Sequence, residues 1–323
     1  MTSLPPLRFE PILREYLWGG RRLGTELGKP IGNAERYAES WEVVDHGADQ
    51  SIVAAGPFAG KKLHELVTQD GAALLGRHNP RPQFPLLFKF LDCQQTLSVQ
   101  VHPNDVQAAK LNPPDLGKTE AWVILAAEPG SKVYAGLKPG VDRRTLEREL
   151  ALGKCDTCLY EFEPHVGDCV FIEAGTVHAL GAGLLVAEIQ QASDTTYRLF
   201  DWNRVDSDGK PRPLHIQQSL DTVDFSRGPV EPVTPASTDR AGVERLVSCD
   251  KFILDRCTID AVERLPQNDR FHILAVVEGE VSLSAGNDKE RLRRGDSILI
   301  PASATGVEIA PQGRAALLDM YLP

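Results

Sequence analysis

Four residues of this chain carry donor atoms at spacings that suit a divalent cation. In SVQVHP (98–103) the amide of Gln100 and the imidazole of His102 lie two positions apart on a strand-like run, so both side chains leave on one face. Glu120, in GKTEAW (117–122), begins the next strand, and His178, in EAGTVHALG (173–181), follows a tight turn containing glycine. Two imidazoles, one carboxylate and one amide oxygen make a donor set for zinc or a similar ion. Any one alone carries little weight. A lone histidine in a β protein is commonly a polar core or surface residue, and a glutamate at a strand edge commonly faces solvent.

The elements that must hold these residues are mostly strands. PLLFKFLD (85–92), TLSVQVH (96–102), AWVILAA (121–127), CVFIEA (169–174) and LLVAEIQQ (184–191) are short apolar runs bounded by Gly, Pro, Asn and Asp. Helical spacing is confined to GKKLHELVTQDGAALLG (60–76) and to DRRTLERELALG (142–153), with its Asp cap, Leu146, Leu150 and closing Gly. The composition of SRGPVEPVTPASTDRAG (226–242) predicts a linker, after which strand-like material resumes. An internal repeat is also visible. VGDCVFIEAGTVH (166–178) aligns with RGDSILIPASATG (294–306) at an offset of 128, and AAEPGSKVYAG (126–136) aligns with VVEGEVSLSAG (276–286) at an offset of 150. The difference of 22 residues matches the 142–153 helix and its flanks, so the chain reads as two related β units, the first carrying an inserted helix. By these offsets Gly306 replaces His178 and Arg270 replaces Glu120, and the second unit, with strands at 272–284 and 297–301, has lost any metal site.

Bulk properties narrow the partners. The length of 323 residues exceeds the roughly 100–200 typical of one domain, and 42% hydrophobic with 25% charged residues is ordinary for a globular protein. No run approaches the ~20 apolar residues of a membrane helix, and MTSLPPLRFEP has no secretory apolar core. Thirty-five Lys and Arg against 45 Asp and Glu give a net charge of −10, with no basic stripe for nucleic acid. An anionic ligand would therefore need a few local cations. Six cysteines are too sparse for a disulfide scaffold, which points to a reducing compartment and the cytoplasm. Cys155-x2-Cys158 has no companion pair at zinc-finger spacing, and no Walker loop is present. His46, His64, His78, His165, His215 and His272 are expected in loops or facing solvent.

Taken together, LSVQVHPND, GKTEAW, GTVHALGAG and EIQQASDTTYR resemble the type I mannose-6-phosphate isomerases in their short bacterial form, a branch of the cupin superfamily. WGG at 18–20 and AESWEV at 38–43 match the N-terminal patterns of that family, and the likeness runs to about residue 225. The Gly167-x5-Glu173-x-Gly175-x2-His178 spacing resembles the second cupin motif, with Glu173 where proline is usual. The resemblance implies a mainly β fold of two cupin-type β-barrel (jelly-roll) units with a few inserted helices: a catalytic domain at 1–225, the linker at 226–242 and a degenerate cupin-like domain at 243–323. It implies one Zn2+ per chain held by Gln100, His102, Glu120 and His178, and active-site roles for Arg198 and Lys118. Ser98 matches a position associated with substrate phosphate. Trp18, Glu39 and Asp194 fall with the substrate-binding group.

The implied reaction interconverts D-mannose 6-phosphate and D-fructose 6-phosphate through a cis-enediol, moving a proton between C1 and C2. Such a site must polarise a carbonyl, which a divalent ion does as a Lewis acid. With one anionic ligand among four the ion keeps net positive charge. Arg198 would serve as a planar fork for an anion and Lys118 as a point charge or proton donor. The base stays open among a metal-bound water, Lys118 and Glu39. Two other classes stand beside this one: an iron-dependent cupin oxygenase, whose usual histidine set Gln100 interrupts, and a sugar-phosphate-binding regulatory cupin, which would tolerate loss of ligands that are all present here.

Overall fold

The computed structural model describes residues 3–205, 209–286 and 288–323, and is mainly β, with a few short helices between strands. It divides into two compact units. One holds Tyr16–Gly20 and Leu91–Val233; the other holds the residues up to Glu15, Arg21–Phe90 and Thr234–Pro323. Among the described residues no helix is long and apolar enough to cross a membrane.

This division differs from a linear cut at 1–225, 226–242 and 243–323. Long-range pairing explains the difference. Leu7 exchanges backbone hydrogen bonds with Leu299 at 2.8 and 2.9 Å, Arg8 meets Asp296 at 2.8 Å, and Phe84 lies 4.7 Å from Phe271. Such contacts draw the N-terminal stretch to the C-terminal strands, and no local pattern announces them. The expected linker contains the boundary but is not a free tether. Val230 and Val233 donate to the carbonyls of Ala135 and Cys169, and Ala236–Ser237 pairs with residues 244–245.

In the 91–233 unit one antiparallel sheet runs in the order Leu159–Phe162, Val133–Leu137, His178–Leu180, Val99–Val101, Tyr197–Phe200. A second group sets Glu120–Ala127 between Cys169–Ile172 and Leu184–Gln191. Val99, Val101, Ala179 and Leu199 pack into one apolar cluster with Leu146 of the helix Arg143–Ala151 and Leu220 of the helix Ile216–Thr222. Burying each such valine or leucine stabilises the fold by roughly 1.5–3 kcal/mol. Because strand side chains alternate, the same register sends Ser98, Gln100, His178 and Arg198 to the opposite face, and a slip of one residue would reverse both sets. The helix Arg143–Ala151 starts where expected, with Asp142 Oδ1 accepting from the Thr145 amide at 2.8 Å. The 60–76 stretch of the other unit is not one helix. It breaks at Asp70 (φ −122°, ψ 22°) into Leu63–Gln69 and Gly71–Leu75.

In the C-terminal unit a sheet containing Val243–Ser248, Ile253–Ile259, Ala315–Tyr321, His272–Glu278 and Ser297–Ile300 faces one containing Glu263–Arg264, Glu308–Pro311, Glu280–Ala285 and Asp288–Arg293. Val243, Leu274, Val281, Leu292, Ile309 and Leu317, from both sheets, fill the space between. The run expected as one strand at 272–284 is two, turning at Gly279. There φ is +72°, and a Cβ would sit 2.5 Å from the Arg314 carbonyl oxygen, so only glycine makes this turn without strain.

The repeat is visible in the hydrogen bonds. Asp168 Oδ2 accepts from the His165 amide and Asp296 Oδ2 from the Arg293 amide, at 2.8 and 2.9 Å. The preceding glycines, Gly167 and Gly295, have φ of 92° and 93°. Val133–Leu137 and Leu159–Phe162 are joined through the helix Arg143–Ala151, whereas Glu280–Ala285 and Asp288–Arg293 form a close hairpin, which locates the insertion.

Candidate metal and anion site

Strand register in the 91–233 unit sets three of the expected residues in one row. Gln100 is directly opposite His178 on one side and Arg198 on the other. Residues opposite each other across an antiparallel pair share a face. His102 lies just past the end of the Gln100 strand, and Glu120 opens the strand paired with Ile172.

His102, Glu120 and His178 converge. One donor atom from each lies within 4.8 Å of the others, and each residue is 1% exposed. His102 Nε2 is 3.6 Å from Glu120 Oε2, and His178 Nε2 is 3.4 Å from Glu120 Oε1. Both rings are aimed by the backbone. Nδ1 of His102 is 3.1 Å from the Thr195 carbonyl oxygen and Nδ1 of His178 is 2.9 Å from that of Thr176. With the Nδ1 proton given to a carbonyl, the Nε2 lone pair of each ring faces Glu120, the orientation a metal-bound histidine needs. Burial lowers the His178 pKa to about 4, with Lys118 adding to the shift against the opposing Thr176 carbonyl, so the ring is neutral near pH 7. The donor set fits a divalent ion in chemistry and separation. It already gathers one positive charge, since Lys118 Nζ lies 3.2 Å from both His102 Nε2 and Glu120 Oε2.

Arg198 provides the anion side. Its Nε donates to Ser98 Oγ at 3.3 Å and its Nη1 to the Pro213 carbonyl at 3.0 Å, so its hydrogen-bond partners among the described residues are a hydroxyl and a carbonyl. Burial, with Arg212 and Arg204 nearby, lowers its pKa from the usual guanidinium value against the pull of Asp201. A cation held this way favours an incoming anion.

Of the remaining expected residues, Trp18 and Glu39 meet partners of their own. Asp194 is exposed and does not hold Arg198. Trp18, nearly buried, stacks on Tyr16 at 5.8 Å, and its carbonyl accepts from the amides of Gln94 and Gln95. Glu39 belongs to the other unit, where Oε2 accepts from Trp41 Nε1 at 2.6 Å and faces Lys89 Nζ at 3.5 Å. Cys155 and Cys158 are free thiols buried in the apolar cluster behind the sheet. The carbonyls of Thr176 and Thr195 were not legible in the sequence, because an aiming carbonyl has no side-chain signature.

His272 is a correction. It is buried rather than solvent-facing, with Nδ1 2.7 Å from Asp319 Oδ1 and Nε2 3.2 Å from Asn268 Oδ1. It is also the true counterpart of Glu120. His272 pairs with Ile300 as Glu120 pairs with Ile172, two positions from the Arg270 that the sequence offset gives.

Comparison with known proteins gives a consistent set of matches. A family model described as the phosphomannose isomerase type I catalytic domain matches residues 7–124, and one described as the mannose-6-phosphate isomerase cupin domain matches residues 243–319. A mannose-6-phosphate isomerase of Streptococcus mutans is 34% identical over 298 residues, covering 92% of each chain. One of Bacillus subtilis is 34% identical over 297 residues, covering 92% of this chain and 93% of that one. The crystal structure of a mannose 6-phosphate isomerase from Bacillus subtilis matches with a TM-score of 0.89 at 29% identity, over 99% of this chain and 100% of that one.

Proposed function

Because the chain belongs to the type I mannose-6-phosphate isomerases, we propose that it interconverts D-mannose 6-phosphate and D-fructose 6-phosphate through a cis-enediol, with one zinc ion held by Gln100, His102, Glu120 and His178. The observation that carries this reading is the convergence of His102, Glu120 and His178, buried and with both imidazoles aimed by backbone carbonyls. When bound, the ion supplies Lewis-acid polarisation of the sugar carbonyl, which acidifies the neighbouring C–H.

The chain's own groups do the rest. Enediol formation takes a proton off carbon and puts one on the carbonyl oxygen. Lys118 Nζ, beside the donor atoms, can supply the second and regain a proton from the neighbouring hydroxyl as the carbon proton is returned to the adjacent carbon. Arg198, with two of its nitrogens committed to Ser98 and Pro213, presents its remaining Nη2 to the substrate anion, and Ser98 Oγ adds a hydroxyl beside it. Burial of the donors keeps water from quenching the enediol by stray protonation. The six free cysteines suit a reducing cytoplasm, where sugar phosphates occur. A coupled assay for fructose 6-phosphate formation tests the reading. Turnover of mannose 6-phosphate is expected, and a pure, metal-loaded protein that forms no fructose 6-phosphate would overturn it.

A further inference from the structure

Three residues after Arg198 a single carboxylate gathers two further arginines. Asp201 is 6% exposed. Its Oδ2 accepts from Arg212 Nε at 2.6 Å, and its Oδ1 accepts from Arg212 Nη2 at 2.5 Å and from Arg204 Nη2. The Arg212 contact is a two-point fork, the geometry that fixes a guanidinium in orientation as well as position. Neither arginine ends there. Arg204 Nη1 donates at 2.6 Å to the carbonyl of Thr96, two residues before Ser98. Arg212 adjoins Pro213, whose carbonyl holds Arg198 Nη1, and His215 closes the same segment onto Arg198. The His215 amide donates to the Arg198 carbonyl at 2.8 Å, while the Arg198 amide donates to His215 Nδ1 at 3.1 Å. Asp201 therefore ties together the two segments that carry Arg198's side-chain partners, Ser98 and Pro213.

The backbone beside it is unusual as well. Trp202 and Asn203 have φ of 56° and 55°, in the left-handed region that bulky residues rarely adopt. They are held by Trp202 Nε1 donating to the Leu97 carbonyl at 2.6 Å and by Asn203 donating to the Gly153 carbonyl at 3.0 Å. Left-handed backbone of this kind persists only where the surroundings over-determine it, and it concentrates near functional sites. Among the described residues two guanidiniums, those of Arg204 and Arg212, share the Asp201 carboxylate, with Arg198 close enough to feel all three charges.

We propose that Asp201 is a positioning residue for Arg198: by clamping Arg212 and Arg204 it fixes the Pro213 carbonyl and the approach to Ser98, between which the Arg198 guanidinium is held for the substrate anion. This rests on the anion-binding role of Arg198 given above.

The test is steady-state kinetics with mannose 6-phosphate on Arg198→Ala, Asp201→Asn, Arg212→Ala and the double variant Arg198→Ala/Asp201→Asn, with metal content and melting temperature for each. Asp201→Asn and Arg212→Ala are each expected to lower kcat/KM roughly tenfold, a loss of the size one charge-assisted hydrogen bond carries. The loss should divide between kcat and KM as it does in Arg198→Ala, with metal content unchanged. The double variant should be no worse than Arg198→Ala alone, because the clamp acts through a guanidinium already removed. Wild-type kinetics in Asp201→Asn and Arg212→Ala beside an impaired Arg198→Ala would overturn the clamp and leave the proposed function standing, as would a double variant whose losses multiply. Wild-type kinetics in Arg198→Ala would instead remove the premise, and the clamp with it. If Asp201→Asn fails to fold, Arg212→Ala decides alone, since that side chain is 39% exposed and its removal leaves no core cavity.

Discussion

His178 in the 91–233 unit and His272 in the C-terminal unit are equally buried, and both stand on strands of units built to one plan, yet their ring nitrogens are spent differently. His178 gives Nδ1 to a backbone carbonyl, which leaves Nε2 facing a carboxylate that also faces His102. His272 has one nitrogen on Asp319 and the other on Asn268. The change extends to the neighbouring strand. Glu188 is opposite Trp122, and Asp319 is opposite Leu274, the corresponding place. A histidine where the first unit has Glu120, set against an aspartate, makes a closed pair. Such a pair occupies both ring nitrogens of the histidine and offers them to no ion, whereas imidazoles tied to carbonyls keep their Nε2 donors open. On related scaffolds, the first unit gathers His102, Glu120 and His178 with open donor atoms, and the second sets His272 against Asp319 in its core.

Removing each histidine sharpens that contrast. His178→Ala should lose the ion and with it several kcal/mol of carbonyl polarisation, about 10³-fold in kcat/KM at 1.36 kcal/mol per factor of ten. Metal analysis and the coupled assay read both losses, and near-stoichiometric zinc surviving in this variant would break the assignment. Arg198→Ala should keep its metal and melting temperature and lose about 10²-fold in kcat/KM, from a charge-assisted bond of about 1.5–3 kcal/mol. Arg198→Lys should recover only part of this, since an ammonium cannot reproduce the planar fork. His272→Ala should do the opposite. It leaves buried Asp319 without its donor and costs about 1–3 kcal/mol of stability, read by denaturant titration, while metal content and kcat per folded molecule stay at wild-type values. A loss of zinc in His272→Ala would mean that the two units are not divided in function as described.

The smallest effect concerns pH. Desolvation would raise the Asp201 pKa, but hydrogen bonds and charge from Arg212 and Arg204 outweigh it and hold the carboxyl below its ordinary value. A depressed carboxylate contributes stability that is present above the unfolded pKa, about 3.9, and lost as pH falls through the lower folded value. The melting temperatures of wild type and Asp201→Asn should therefore differ most at pH 5 and above and converge in stronger acid. A gap that widens below pH 4 would contradict the clamp's ionic character.

How much of this was legible in sequence depended on range. LLVAEIQQ is a strand over the residues its composition indicates, and the Asp142 cap starts its helix, because both signals are local. The convergent His102, Glu120 and His178 could be picked out as candidates because they stand in short runs of recognisable type. The row of His178, Gln100 and Arg198 was not, since register between strands far apart in sequence is set by tertiary packing. His272 was misread although its signal was present. In FHILAVVE, alternation sets His272 on the same face as Leu274 and Val276, which line the core. The repeat alignment slipped by two positions upstream, which preserved the alternation of faces but substituted Arg270 for His272 as the counterpart of Glu120. The grouping of the N-terminal stretch with the C-terminal strands rests on pairs such as Leu7 with Leu299, for which a single sequence carries no cue.

The claim on which the rest depends is that catalysis requires one ion held in the 91–233 unit. The direct measurement is to strip the purified protein with a chelator, remove the chelator, and titrate zinc back while following both bound metal and mannose 6-phosphate isomerisation. Activity should vanish on stripping and return in proportion to bound zinc, reaching its plateau at one ion per chain. Full activity in the stripped protein, or a plateau reached only at two ions per chain, would contradict the account.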